Sequence, residues 1–427
     1  MSAQVSVADG RESRGRHSML QRWARAAVRK QLDGMTHGQL TITDPLGQWS
    51  VGQPGELDAK LTVHDCRFYA DVLLEGGLGA ADAWIGGVWD TDDLTGALRL
   101  MVRNMDRIDA LEGGFASLAN GVARVRHWMN RNSPDGSSRN IHAHYDIGND
   151  LFALFLDESM TYSSGIYPSE ASTLAQAQYE KLDRICRKLA LTAADHVVEI
   201  GTGWGSFAIH AASNYGCKVT TTTISAEQHA LAVERVRKSG LDDRIEVLLC
   251  DYRELQGQFD KLVSIEMVEA VGDAFLPEYF GACSRLLKPS GSMVIQAINM
   301  PDQRYQRYLK TADFIQTTVF PGSCCPAITA MLGAVREASD LRLAHLEDIG
   351  LHYATTLRQW RERFDARESE VDALGYSPEF KRMWRYYLSY CEAGFAERYT
   401  ATVQMLLEKP ACRAPSVLGL LAQPAQD

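Results

Sequence analysis

The chain has 427 residues, enough to bury a large core and to form two domains. A formal net charge of −10 disfavours non-specific nucleic-acid binding, and no apolar run approaches the roughly 18 residues of a membrane span. The N-terminus lacks the apolar core of a signal peptide, and nine cysteines form no C-x-x-C pair, so the sequence reads as cytoplasmic, with free thiols and no structural zinc.

Residues 1–37 read as a basic, partly disordered segment. Arg11, Arg14, Arg16, Arg22, Arg25, Arg29 and Lys30 interleave with Met19, Leu20, Trp23, Ala26 and Ala27 at helical spacing. Such a helix suits an anionic membrane surface, or packs on the next domain through Leu20 and Trp23. Residues 38–112 read as a small α/β domain, with strands at 40–43 and 60–63 and helices at 68–74 and 94–101. His64 and Cys66 are expected to be structural. A basic polar linker, 113–140, carries Gly113, Gly114 and the loop 132–138.

From 141 to 409 apolar strands alternate with amphipathic segments, the pattern of a mainly parallel sheet covered on both faces. Seven strands are predicted, at 196–200, 218–223, 245–249, 261–265, 292–298, 341–346 and 399–406. Helical stretches near 300–335 and 357–395 are rich in aromatics and are expected to cover the mouth of a site. The tail, 410–427, reads as loose. The first strand ends in Glu199, then Gly201, Gly203 and Gly205, before a helix-compatible stretch at 206–214. Glycines there let the backbone turn sharply and approach a ligand. The spacing differs from the dinucleotide fingerprint G-x-G-x-x-G and resembles motif I of the S-adenosylmethionine (SAM) methyltransferases.

Further blocks sharpen that likeness: His144 to Phe152, Met160 to Tyr167, Thr222 to Gln228, Asp251 to Leu255, Ile265 to Gly272 and Tyr386 to Phe395. Together they closely resemble the cyclopropane-fatty-acyl-phospholipid synthases, over about residues 60 to 405. The resemblance implies a class I SAM-methyltransferase (Rossmann-like) fold with helical lid insertions. It also implies methylene transfer from SAM to the double bond of an unsaturated phospholipid, at the inner face of the membrane. A homodimer stays an open alternative.

The resemblance assigns the SAM site residue by residue. Tyr162 and Ser163 match positions near the methionine end, and Glu199, Gly201, Gly203 and Gly205 match the glycine turn. Thr223, Ile224 and Gln228 stand where nucleotide-binding sheets place a ribose ligand. Asp251 and Tyr252 stand where adenine is recognised, a carboxylate accepting from its amino group and a ring stacking on it. Tyr305, Tyr308, Phe314, Phe320, Tyr386, Tyr387 and Tyr390 are candidate walls for an acyl slot and for a passing cation. A metal pair at His142 and His144 is discounted, because no carboxylate-histidine cluster completes a shell.

The resemblance further implies a bicarbonate ion beside the reacting carbons that takes the proton, held by a Cys, a Glu, a His, a Tyr and a backbone amide. Here Glu269, Tyr353 and the Ile298 amide match, and a further site cysteine is present as Cys391. Ser164 stands in the Cys position and Gln296 in the His position. Losing one good hydrogen bond to an ion costs roughly 1.5–3 kcal/mol. Three outcomes stay open: the ion is retained and the product is a ring; the ion is gone and Glu269 or water serves, giving a methyl- or methylene-branched chain; or SAM and lipid bind without turnover. A methyltransferase of small soluble substrates is the rival class.

Overall fold

The structure, a computed structural model, describes residues 19–106, 148–415 and 417. The first of two sheets has four strands in the order β2-β1-β3-β4, namely β1 (Gln39–Asp44), β2 (Gly47–Gly52), β3 (Asp58–Val63) and β4 (Trp89–Thr91). β1 and β3 pair in parallel where alternation predicts strands, and Ala59, Leu61 and Val63 point inward. Alternation misses β2, which offers only Trp49 and Val51 to the core, and the three-residue β4. It also misses the helix Gly77–Ile85 between two glycine pairs.

The helix Met19–Leu32 packs on this sheet through Ala24 and Val28. Arg25 fastens it, its Nε 2.6 Å from the buried carboxylate of Asp44. Met19, Leu20 and Trp23 face away, 89%, 66% and 58% exposed. Arg22, Arg29 and Lys30 are exposed beside them.

The second sheet has seven strands in the order β10-β11-β9-β8-β5-β6-β7. They are β5 (His196–Ile200), β6 (Lys218–Thr223), β7 (Ile245–Leu249), β8 (Phe259–Ile265), β9 (Leu287–Asn299), β10 (Arg342–Asp348) and β11 (Ala401–Glu408). β5 to β9 pair in parallel, and β10 and β11 are antiparallel. The last two strands begin one or two residues later than alternation places them. A sheet buried on both faces needs apolar side chains in both directions. Val197 and Val294 join one core with the helices Leu174–Lys188 and Ser206–Tyr215. Val198, Met293 and Ile295 join the opposite core with Leu276–Leu286 and Ile328–Ala338.

Both lid stretches are broken. The first holds the helix Asp302–Tyr308, a π-turn at Ile315–Val319 and the start of Ile328–Ala338. The second holds Gly350–Ala366, Glu368–Ala373 and Pro378–Ala396. The small sheet is seated on the last of these. The Arg382 guanidinium stacks 4.1 Å from the Trp84 ring centroid and donates to the Trp89 carbonyl, while Arg99 and Arg103 pair with Glu397. One set of buried side chains continues from Leu40 to Trp384. The linker 113–140 and the pair His142 and His144 lie outside the described residues. Of the tail, Cys412 and Val417 are buried. Among the described residues no helix is long and apolar enough to cross a membrane.

Candidate active site

The carboxyl ends of β5, β6 and β8 open on a cavity of about 440 Å³. This is the crevice where chain order reverses across a parallel sheet, the usual place for a ligand in such folds. Gly201 turns the chain at φ +98, and a Cβ there would lie 3.3 Å from the Met267 side chain. Gly203, at φ +52, has nothing within 4 Å of an added Cβ, so its backbone is open to a ligand. Gly205 instead caps the helix Ser206–Tyr215 and does not border the cavity. The turn is braced from outside. The Trp204 indole donates to Asn149, from the His144 to Phe152 block, and the Arg235 guanidinium donates to the Trp204 carbonyl.

Tyr162, Ser163, Glu199, Thr223, Ile224, Gln228, Asp251 and Tyr252 all border this cavity. The Thr223 hydroxyl donates to Gln228 Oε1 at 2.9 Å, which leaves the Gln228 N–H groups for a ligand. Asp251 is already engaged by the Arg253 guanidinium at 2.6 Å, which holds its carboxyl below the usual range against the effect of burial. Glu199 accepts from Thr221, and burial pushes its carboxyl up to about 8. Ser163 Oγ accepts from Lys181 Nζ at 2.8 Å. Lys181 is buried and borders the same cavity, and desolvation brings its ammonium down to about 8. These groups fit SAM: an open backbone turn, the Gln228 N–H groups, the Asp251 carboxylate for a cationic ligand, and a ring in Tyr252.

The opposite wall is apolar and aromatic. Tyr308, Phe320, Tyr387 and Tyr390 line it, with Ile298, Met300, Cys391 and Phe395. Tyr305, Phe314 and Tyr386 are packed into the surrounding core instead. Val102 and Met105 of the N-terminal unit also reach the cavity. The Tyr162 and Tyr387 hydroxyls share a 2.8 Å hydrogen bond across it. Burial raises the Cys391 thiol far above its usual range, so it stands there as a small neutral group.

Between the two walls lies a carboxylate that motif matching does not single out. Glu266, just past β8, has a left-handed backbone (φ +49) and borders the cavity. Its Oε1 accepts from the Ser164 backbone N–H at 2.9 Å and from Gln296 Nε2 at 2.7 Å. Its Oε2 accepts from the Tyr353 hydroxyl at 2.7 Å. Two of the expected ion holders, Gln296 and Tyr353, are therefore turned onto one side chain, together with the backbone N–H of Ser164. The Ser164 hydroxyl points elsewhere, to the Gly165 carbonyl, and neither Ser164 nor Gln296 borders the cavity. The Ile298 amide donates to Glu269. A bicarbonate ion does not fit this set of donors, because protein carboxylates already take them.

The two acids differ. Burial raises both, but three donors oppose the rise at Glu266. Glu269 is pushed up to about 8 by burial and by the negative charge of Glu266, against backbone N–H donors only, that of Ile298 among them, and its Oε2 has no partner. Glu266 accepts three hydrogen bonds, the arrangement that suits an ionised carboxylate, whereas the unpartnered Oε2 of Glu269 suits a protonated one. The sequence does carry a signal, two acids three apart at the end of β8, but only Glu269 has a counterpart in the family pattern.

The family described as mycolic acid cyclopropane synthetase matches residues 132–405. A protein named tuberculostearic acid methyltransferase UfaA1, from Mycobacterium tuberculosis, is 39% identical over 350 residues, 78% of this chain and 79% of that one. The cyclopropane-fatty-acyl-phospholipid synthase of Escherichia coli K12 is 36% identical over 351 residues, 81% of this chain and 86% of that one. Among solved structures, the cyclopropane synthase MmaA2 from Mycobacterium tuberculosis superposes with a TM-score of 0.60 at 28% identity, over 64% of this chain and 98% of that one. The mycolic acid cyclopropane synthase CmaA1 complexed with SAH and CTAB gives a TM-score of 0.60 at 29% identity, with the same coverage.

Proposed function

The chain belongs to the mycolic acid cyclopropane synthetase family of SAM-dependent, methyltransferase-type enzymes, and on that premise we propose that it methylates the double bond of an unsaturated phospholipid acyl chain, with Glu266 taking the proton. When bound, SAM supplies an electrophilic methyl group on a sulfonium centre. The glycine turn, Glu199, Gln228 and Tyr252 would hold it. The acyl chain lies against Tyr308, Phe320, Tyr387 and Tyr390, whose ring faces favour a cationic carbon.

The alkene π pair would form the new carbon–carbon bond as the methyl–sulfur bond breaks and leaves its electron pair on the neutral thioether, and the neighbouring carbon is left positive. A hydride then moves to it from the methyl-bearing carbon. The Glu266 carboxylate removes a proton from the added methyl, and that C–H pair becomes an exocyclic double bond. The chain gains CH₂, and the proton rests on Glu266 Oε1 or Oε2. A proton beside a cationic carbon is acidic enough for any ionised carboxylate to accept.

One observation carries this reading: Ser164, Gln296 and Tyr353 converge on Glu266. A carboxylate fixed by three donors and by its backbone cannot follow the cation as a free ion can, which leaves time for the hydride shift. Ring closure is the second reading, favoured by the names of the Escherichia coli relative and of the solved cyclopropane synthases. There the same proton leaves before the shift. Mass spectrometry of acyl chains after incubation with SAM and unsaturated liposomes tests both. Each product is heavier by one CH₂ unit, but only the branched one keeps a reducible double bond. Exclusive ring formation would overturn the branched assignment.

The exposed Met19, Leu20 and Trp23, with Arg22, Arg29 and Lys30, support attachment to the anionic inner face of the membrane.

A further inference from the structure

Gln296 is one end of a longer line of polar contacts. Gln404, paired in register with Gln296 across β11 and β9, donates its Nε2 to Gln296 Oε1 at 2.9 Å. Lys188, at the end of the helix Leu174–Lys188, donates its Nζ to Gln404 Oε1 at 2.8 Å. Beyond it stands Glu347 of β10, 2.7 Å from the same ammonium, and Glu347 is also paired with Arg184. Gln296 and Gln404 are fully buried, and Lys188 is 3% exposed.

The two ends of this line fix its direction. An ammonium only donates, and an ionised carboxylate only accepts. Between Lys188 and Glu266, a single orientation of both amides makes every bond. Gln404 must show oxygen to Lys188 and N–H to Gln296. Gln296 must then show oxygen to Gln404 and N–H to Glu266.

We propose that Lys188, Gln404 and Gln296 form a directional relay across the sheet that holds the Gln296 N–H on Glu266 and so keeps the Glu266 carboxylate ionised and in place for proton removal. Lys188 and Gln404 are positioning residues, since neither borders the cavity. The inference rests on the assignment of Glu266 as the proton acceptor. A line of buried amides with no ligand of its own is costly unless every member is satisfied. Here every link is made, and it leads to the reacting group.

The charged and titratable groups around Glu266 are Lys181, Glu269 and Tyr353. Those around Lys188 are Glu347, Arg184, Arg187 and His345. A change at Gln404 removes none of these groups, but Gln404→Glu adds a negative charge that would itself raise the Glu266 carboxyl, so the uncharged Gln404→Met is measured beside it and must show the same shift. Gln404→Glu keeps the shape and the Lys188 pair, but its ionised carboxylate cannot donate. Gln296 must then turn its N–H toward position 404 and its oxygen toward Glu266.

The test is the pH dependence of kcat for the full chain on unsaturated liposomes, in wild type, Q404E, Q404M and E266Q, with SAM affinity measured alongside. For Q404E and Q404M the acid limb of kcat should move up by about one pH unit, the worth of one charge-assisted hydrogen bond. SAM affinity should stay within about twofold, as expected for residues far from the ligand. An acid limb unmoved in Q404E or in Q404M, together with loss of turnover in E266Q, overturns the relay and leaves the Glu266 assignment standing. Wild-type turnover in E266Q overturns that assignment, and the relay with it. Should Q404E fail to fold, Q404M, similar in volume and without either amide end, carries the test alone with the same expected shift and the same overturning result.

Discussion

Gln296 donates its side-chain N–H to Glu266 across 2.7 Å, in the position where the family pattern sets a histidine against a free ion. The glutamine cannot titrate, and the glutamate supplies the charge that the ion would have brought. The two departures from the pattern are thus one exchange, read from both sides of a hydrogen bond.

Glu266→Gln should lower turnover by about 10²- to 10⁴-fold, the usual worth of a positioned proton acceptor. The amide oxygen can still accept from Ser164 and Gln296, and its N–H can donate to the Tyr353 hydroxyl, so the fold and SAM binding should persist. SAM consumption and calorimetric SAM binding on the same sample check this. A loss of binding equal to the loss of turnover would assign Glu266 to the cofactor instead.

Glu269→Gln should be far milder, less than about tenfold. With its carboxyl pushed up to about 8, Glu269 is mostly neutral at pH 7, and an amide resembles it. The glutamine oxygen can also keep the bond from the Ile298 amide. A loss as large as that of Glu266→Gln would move the acceptor role to Glu269, as motif matching alone expects.

The same shift predicts a stability effect. Glu199 and Glu269 both sit at about 8 in the folded chain, above the ordinary value of 4.5. Between those values the folded state holds protons that the unfolded state has released, so stability is full below the lower value and falls as pH rises through the upper one. That contribution to thermal stability should fall from about pH 5 to pH 8, against the opposite trend from His196, His210, His345 and His352, which burial favours as neutral rings. Glu269→Gln should flatten part of that slope. An unchanged slope in the variant would mean that Glu269 does not hold its proton.

Exchanging Arg22 and Lys30 for Glu should weaken binding to anionic liposomes at low salt, and by less at high salt, at about 1 kcal/mol for each basic residue near the lipid. Leu20→Ala with Trp23→Ala should weaken it at both. These side chains are exposed, so melting should not change. Equal loss of binding at both salts in the charge variant, with lowered melting, would show folding damage.

How much of this is legible in the sequence depends on the kind of signal. β5 and β9 announce themselves because strands buried on both faces must be apolar throughout. The glycine turn is legible because Gly201 and Gly203 hold backbone angles that other residues avoid. The basic helix was visible, but not that Ala24 and Val28, rather than Leu20 and Trp23, form its packing face. Glu266 stands three residues before Glu269, yet no motif assigns it. Matching asks what stands at a known position, and here the chemistry moved to a neighbouring one. Only the distances from Ser164, Gln296 and Tyr353 reveal it. The relay through Gln404 and Lys188 joins residues 216 positions apart and follows no local pattern.

Glu266→Gly should make the site take a small oxyanion. Removing the side chain leaves the Ser164 amide, the Gln296 amide and the Tyr353 hydroxyl pointing at a space the size of a carboxylate. Glycine suits the left-handed backbone of position 266, so no strain is added there. Turnover should fall as in Glu266→Gln and recover in part with added formate or bicarbonate, saturably, at constant ionic strength. A diffusible ion can follow the cation more closely than a tethered carboxylate, so bicarbonate should also raise the ring fraction of the product. Recovery with chloride as readily as with formate would show a charge effect alone. No recovery with either oxyanion would mean that the three donors do not form a site without Glu266.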